Sequence, residues 1–564
     1  MPARMRETTG QVPYSATADL WWKHAVFYCL DVETFADGNA DGIGDFIGLT
    51  HRIDHLASLG VTCLWLMPFY PTAHGDDGYD VTDHYAIDPR LGTFGDFDEF
   101  MTTAADRGLR VIADLVVNHT SIEHPWFQDA RRSRESRFRP FYVWRDERPD
   151  DGPHELVFPG EQQDVWTYDR EASQYDLHRF YHHPPDLNVA HPPLRNEIHR
   201  IIGFWLRQGL SGFRVDAVPF LLELEGIAGR PELDPHDYLR DLRAGLNRRN
   251  GSAVMLGEVN LPPERARPYF GDEDGDELHM LFNFVVMQHT YLSLARADAG
   301  PLTEALRSLP DLPVEAQWAN FVRNHDELTL DQLTDDEREE VFAAFGPEPA
   351  MQIFDRGLRR RLPPMVGGDQ RRIRLAYSLM FSLPGSPTLF YGEEIGMGEN
   401  LDVPGRLAVR TPMQWEAGPA AGFTKANPDA LRRPFPDGDF GPDQVNVAAQ
   451  DLDPDSLLSW FRRLIRTRRT CPEIGFGHHE VVDVGNRAVF ALRSEWEGEE
   501  VITVHHLADA EADIELDLGA PTRGVRVLLG PDVLEVDGQT VRLTVGPYEH
   551  RWLRMGTDSP TSDR

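Results

Sequence analysis

The chain has 564 residues, 41% hydrophobic and 10% aromatic, enough to bury a large core and, by length, about two to four domains. A formal net charge of −36 repels phosphate backbones and anionic bilayers, so nucleic acid and membrane partners are excluded and a neutral ligand is favoured. Three cysteines, Cys29, Cys63 and Cys471, with no CxxC spacing, exclude a disulfide framework and a zinc site.

The opening segment, MPARMRETTGQVPYSATADLWW, carries charge but no apolar run of signal-peptide length, and no stretch is long and apolar enough for a membrane span. A soluble, cytoplasmic protein is expected. Simple solubility is the plainest reading of the acidity, a salt-tolerant cytosol the other. The sequence leaves open whether the chain forms a homo-oligomer.

Short apolar, β-rich runs begin near Ala25 (AVFYCL), Val61 (VTCLWLM), Leu109 (LRVIADLVV), Gly212 (GFRVDA), Ala253 (AVMLGE), Leu281 (LFNFVV), Trp318 (WANFVRN) and Ser386 (SPTLFY). Most are separated by segments with helical spacing. GLTHRIDHLASLG places Leu49, Ile53, Leu56 and Leu59 on one face and ends at Gly60, a C-cap residue. FDEFMTTAADRG and LRNEIHRIIGFWLRQG repeat the device. Strands alternating with helices predict an α/β fold, a (β/α)8 TIM barrel over 1–118 and 189–468. Two gaps are too long for simple loops. Residues 119–188 are predicted to form an inserted subdomain after strand 3, and 328–369 a mainly helical insert. Closely spaced strand-like runs over 469–555 predict a C-terminal β-sandwich, and 556–564 a disordered tail.

Catalytic groups of such a barrel sit at the C-terminal strand ends. Those ends carry Asn118 and His119, Arg214 and Asp216, Glu258, and His325 and Asp326. A single Asp there is usually a turn or cap residue, and a single His usually a structural one. Several acids at one mouth are costly, because like charges oppose each other's ionisation. Retaining glycoside cleavage needs one ionised and one protonated carboxyl group. Arg214 shares a strand face with Asp216 and would hold it ionised as the nucleophile. Glu258, approached through AVMLGE, is placed to stay protonated, and Asp326 becomes a third acid that holds sugar hydroxyls.

DLVVNH, GFRVDAV, GEVN and VRNHDE, in that order, resemble the four signature segments of the α-amylase superfamily of retaining α-glucoside enzymes. The resemblance implies Asp216 as nucleophile, Glu258 as acid/base and Asp326 as transition-state stabiliser, with Arg214, His119 and His325 bonding the sugar. DDGYD resembles the family's substrate-end motif and implies that Asp76 and Tyr79 contact the non-reducing glucose. AVRTPMQW resembles the segment whose arginine, Arg410, pairs with that aspartate and turns a cleft into a disaccharide pocket. DGNADGIGD matches the first nine positions of an EF-hand-like loop, with Asp37, Asn39, Asp41, Ile43 and Asp45 as oxygen donors, but Gly48 stands where the bidentate glutamate would be. An Asx-rich turn is the alternative, less favoured than a metal loop. The family often binds structural Ca2+ or Mg2+ there, and a second family site would use Asn118 and Asp186. No organic cofactor is implied.

RNHDELTLDQLTDDEREEV, LPGSPTLFYGEEIGMGEN and HRFYHHPPDLN resemble the trehalose-synthase subgroup, which isomerises maltose to trehalose. Small neutral sugars, maltose, trehalose and glucose, are then the partners. The chain departs from that subgroup at Glu393 and Glu399, where aspartates are usual, at NVAHP after Asn188, and at Val259, where a smaller residue is common. The alternative activity is an α-glucosidase or amylase that hydrolyses maltose or short α-glucans. A non-catalytic scaffold is disfavoured, because the acid trio is intact.

Overall fold

Eight short parallel strands close into a barrel in chain order: β1 (Phe27–Leu30), β2 (Cys63–Leu66), β3 (Arg110–Leu115), β4 (Gly212–Val215), β5 (Val254–Gly257), β6 (Met280–Phe282), β7 (Gln317–Phe321) and β8 (Ser386–Phe390). The computed structural model describes residues 19–149, 156–159, 161–181, 184–222, 234–519 and 524–556; the tail expected from 556 lies almost wholly outside them. Closure is carried by the pairing of β1 with β8, Phe27 opposite Thr388. Nearly every residue of these strands is buried, as a parallel sheet covered by helices outside and filled by side chains inside requires. That is why most of the strands read as near-continuous apolar runs, while β4 alternates, with Arg214 between Phe213 and Val215.

The helices between them are set by local chemistry. Gly60, at φ 98°, ends the helix Ile53–Leu59, a conformation that glycine adopts without strain. Thr93 and Asp96 close a capping box on Phe94–Asp106. From Pro192–Arg207, Trp205 packs its ring edge-on against Phe69, at 5.1 Å, and Phe97, at 5.7 Å. Burial of such a side chain contributes about 1.5–3 kcal/mol.

Between β3 and β4 a helix, Pro125–Arg132, and a small antiparallel sheet (Trp144–Arg145, Gln174–Leu177, Trp166–Asp169) form the insertion. The segment after β7 is only partly helical. Its longest helix, Asp335–Phe345, is capped by Thr334, and Leu362–Met365 adds a single turn, but Leu328–Thr329, Gly357–Leu358 and Gln352–Ile353 make a three-stranded sheet. Two-residue strands leave no periodicity in a sequence. Beyond His478 come two antiparallel sheets whose facing side chains, among them Ala491, Ile502, Leu516 and Leu553, form a separate core. The three cysteines are free and buried. No helix among the described residues is long and apolar enough to cross a membrane.

Candidate active site

The strand ends converge on a cavity of about 840 Å³ lined by Asp76, Tyr79, His119, Asp216, Glu258 and Asp326, among others. Its floor is organised by one cation. Arg214, on β4, is 1% exposed; its Nη1 lies 2.6 Å from Asp114 Oδ1 and 2.5 Å from Asp216 Oδ1, and its Nη2 2.8 Å from Glu258 Oε2. The ion pair expected within GFRVDAV is therefore one arm of a three-acid cluster. Ala217, just beyond Asp216, takes φ 50°, a strained value for a residue with a Cβ. That turn points its N–H at Glu258 Oε2, 3.1 Å away, and starts the short helix Val218–Leu222 with Pro219 in its first turn. Asp114 belongs to the cluster although it lies inside β3 rather than at its end. Trp65 Nε1 donates to its other oxygen at 2.7 Å.

The two outer acids are driven in opposite directions. Burial pushes Glu258 up to about 8 against the pull of Arg214, and Asp216 and Asp326 add to the rise. Glu258 is therefore protonated at neutral pH. Burial also opposes ionisation of Asp326, but the ring N–H of His325 and the guanidinium groups of Arg406 and Arg410 overcome it and hold that carboxyl group well below the usual range. His325 is itself kept neutral by burial, so it meets Asp326 Oδ2, 3.1 Å away, as a hydrogen-bond donor. Tyr79 stacks on the His325 ring, with centroids 5.6 Å apart and planes within 7°, and its hydroxyl lies 2.7 Å from Nε2. His119 Nε2 donates to the Tyr79 carbonyl at 3.2 Å.

The far end is closed, but not by the pair the sequence suggested. Arg410 bonds Asp77, Nη1 to Oδ2 at 2.6 Å, and Arg433 holds the other oxygen of the same carboxylate. Asp76 is held instead by Arg406, Nη2 to Oδ1 at 3.2 Å. Adjacent aspartates divide the work: Asp77, at φ 47°, pairs with Arg410 and Arg433, and Asp76 with Arg406. Sequence reading missed Asp77, Arg406 and Arg433; the only signal for Arg406 was its place four residues before Arg410 in GRLAVR.

Over the cavity, the insertion and the segment after β7 meet. The turn at Phe354 and Asp355, both at φ 56°, brings Phe354 to 5.0 Å from Phe158, which stacks on Tyr181 at 4.4 Å. Arg356 Nη2 donates to Val157 O at 2.7 Å and lies 3.2 Å from Glu327 Oε1, so it ties the two elements together beside Asp326. Glu393 and Glu399 do not line the cavity. The first accepts from Phe390 N at 2.9 Å, the second from Arg360 Nε and Arg361 N, both at 2.8 Å.

The Asp37–Asp45 loop is all oxygen in its donor chemistry, which suits Ca2+ or Mg2+. Its acids nonetheless already serve its own backbone. Asp37 accepts from Ala40 N at 2.6 Å and Gly42 N at 2.7 Å, Asp45 from Gly48 N at 2.6 Å, and Asp41 from Ile43 N at 2.9 Å. Asn118 and Asp186 do not fit the second site. Asp186 Oδ2 is bonded to Arg179 Nη1 at 2.8 Å and Oδ1 accepts from Arg179 N at 3.2 Å, so a cation there would have to displace an arginine. No three His, Cys, Asp or Glu side chains gather into a metal-holding group among the described residues.

The family model for the α-amylase catalytic domain matches residues 32–345 and 359–476. The chain is 42% identical to the trehalose synthase of Thermus thermophilus, an alignment that covers 94% of this chain but only 55% of that protein. It is 40% identical to the trehalose synthase/amylase of Mycolicibacterium smegmatis, over 88% of this chain and 86% of the relative. Among solved structures, a trehalulose synthase superposes with a TM-score of 0.75 at 26% identity, over 95% of this chain and all of the other.

Proposed function

The chain belongs to the α-amylase family, and on that premise we propose that it isomerises maltose to trehalose by intramolecular transfer of an α-glucosyl group. One observation carries the reading: a single buried arginine holds the nucleophile candidate Asp216 and a protonated Glu258 together under a roof built from two insertions. Asp216 attacks the anomeric carbon of the non-reducing glucosyl unit while Glu258 gives its proton to the glycosidic oxygen. The glycosidic bond breaks, leaving free glucose and a glucosyl ester on Asp216. The glucose turns within the cavity and presents its anomeric hydroxyl. Glu258, now a carboxylate, takes that proton as the oxygen displaces Asp216. Two inversions give net retention, here an α,α-1,1 linkage. Asp326, oriented by His325, holds hydroxyls of the transferred unit, Asp76 its far end, and Tyr79 its ring face.

If water enters before glucose turns, the same apparatus hydrolyses maltose. Maltose incubated with excess 13C-glucose tests the intramolecular route. Unlabelled trehalose supports it, and label in proportion to the added glucose refutes it. The roof is what excludes water. Phe354→Ala is therefore expected to raise the share of glucose among the products severalfold, read by chromatography, with maltose consumption little changed. An unchanged share would remove the roof from the account.

A structural Ca2+ or Mg2+ on the first loop belongs to the same reading. The oxygens of Asp37, Asn39, Asp41 and Asp45 and the Ile43 carbonyl would hold it, away from the reacting atoms. Chelation is then expected to lower Tm by several degrees, since an ion bound only to the folded state stabilises it. An unchanged Tm with no metal by elemental analysis would leave the loop as a self-satisfied turn.

A further inference from the structure

We propose that Arg323 is a positioning residue for Asp326: its buried guanidinium grips the backbone on both sides of His325 and sets where the Asp326 carboxylate stands in the cavity. The inference rests on the α-glucoside reading of the site and adds a residue that does not itself line the cavity.

Strand β7 ends at Phe321 and the next strand begins at Leu328, so Asp326 stands on a loop with no ladder to pair its carbonyls. Carbonyls buried there need other donors. Two arginines supply them. Arg323 turns back along its own loop, with Nε 3.2 Å from Asn324 O and Nη2 bonded to Asp326 O. Arg410 Nε takes the carbonyl between them, His325 O, at 2.8 Å. The remaining arm of Arg323, Nη1, donates to Arg360 O at 3.0 Å. Arg360 is fixed in turn by Glu399 and by Phe345 O, which its Nη1 meets at 2.9 Å. The fork therefore anchors the loop of Asp326 to the segment that carries the roof strand Gly357–Leu358.

Arg323 is 1% exposed, and among the described residues its bonds go to backbone carbonyls rather than to a carboxylate. Burial, with Arg361 close by, pulls the guanidinium down to about 10, which leaves it charged at neutral pH. A cation out of water without an ion-pair partner is costly to keep. Here a planar fork fixes carbonyls on two segments at once, which a single ammonium does not. Arg406 and Arg410 hold the Asp326 carboxylate from the cavity side, and Arg323 holds the peptide it hangs from. A group displaced by about 1 Å from its place in the transition state can cost about a hundredfold in rate.

The test uses the full chain with Arg323→Met and Arg323→Lys, each alone and combined with Asp326→Asn. Turnover of 4-nitrophenyl α-glucoside is read by absorbance and folding by Tm. For Arg323→Met the expected result is a kcat lowered about a hundredfold, with KM within about threefold of wild type. Arg323→Lys keeps the buried charge and is the variant read should Arg323→Met not fold. It should show the same pattern, because the fork is lost. In the Asp326→Asn background either substitution should cost no more than about threefold, since a residue acting through Asp326 has nothing left to position. A wild-type-like kcat in the variants would overturn the proposal. So would a loss carried by KM, or a loss of equal size with and without Asp326, which a merely structural role would give. A wild type inert on this glucoside would sink the α-glucoside reading and this inference with it. Glucose alone from maltose would sink only the isomerase reading and leave these ratios readable.

Discussion

Replacing Asp216 with alanine is expected to lower kcat on maltose by about four orders of magnitude, the scale on which loss of a covalent nucleophile acts. No neighbour can take over. Asp326 is held by Arg406 and Arg410, and Asp114 lies behind Arg214, bonded to it and to Trp65. The fold should barely respond, because Arg214 keeps Asp114 and Glu258 as partners and one of three crowded acids is removed. Steady-state kinetics with a Tm measurement checks both halves. Activity within tenfold of wild type would remove Asp216 from the mechanism.

The Glu258→Gln variant is expected to lose about three orders of magnitude on maltose and to change the shape of the pH profile. Burial holds Glu258 protonated up to about 8. The glucosylation rate of the wild type should therefore fall as pH rises through that value, because the general acid is being lost. Glutamine has no proton to lose, so the basic limb should be absent from the residual activity. The same shift has a sign for stability. Between the ordinary 4.5 and about 8, the folded state holds a proton that the unfolded state has released. This group's contribution to stability therefore decreases as pH rises across the window. A wild-type profile flat from pH 7 to 9 would contradict the assignment of Glu258 as the acid.

The barrel was legible because each strand is a short apolar run between helical segments, and all eight runs became strands. The catalytic candidates were legible because such a barrel places them at strand ends, where Asp216, Glu258 and Asp326 do line one cavity. What escaped reading depends on contacts between distant segments. Arg406 and Asp76 are 330 positions apart, and nothing local marks either as the other's partner. The motif DDGYD does not reveal that Arg410 pairs with Asp77, a left-handed backbone residue, rather than with Asp76. Asp114 hides inside a strand whose other side chains, apart from Arg110 at its start, are apolar. The roof depends on two-residue strands and a strained turn at Phe354 that leave no periodic trace. The loop acids at Asp37 and Asp45 read as metal ligands by spacing, while their hydrogen bonds to backbone N–H groups appear only in three dimensions.

In the proposed reaction glucose, not water, takes the glucosyl group from Asp216. The most direct measurement is the early product composition when the pure protein is incubated with maltose alone. Trehalose is expected as the main early product, with free glucose a minor share. Glucose formed at two molecules for each maltose consumed, without trehalose, would contradict it.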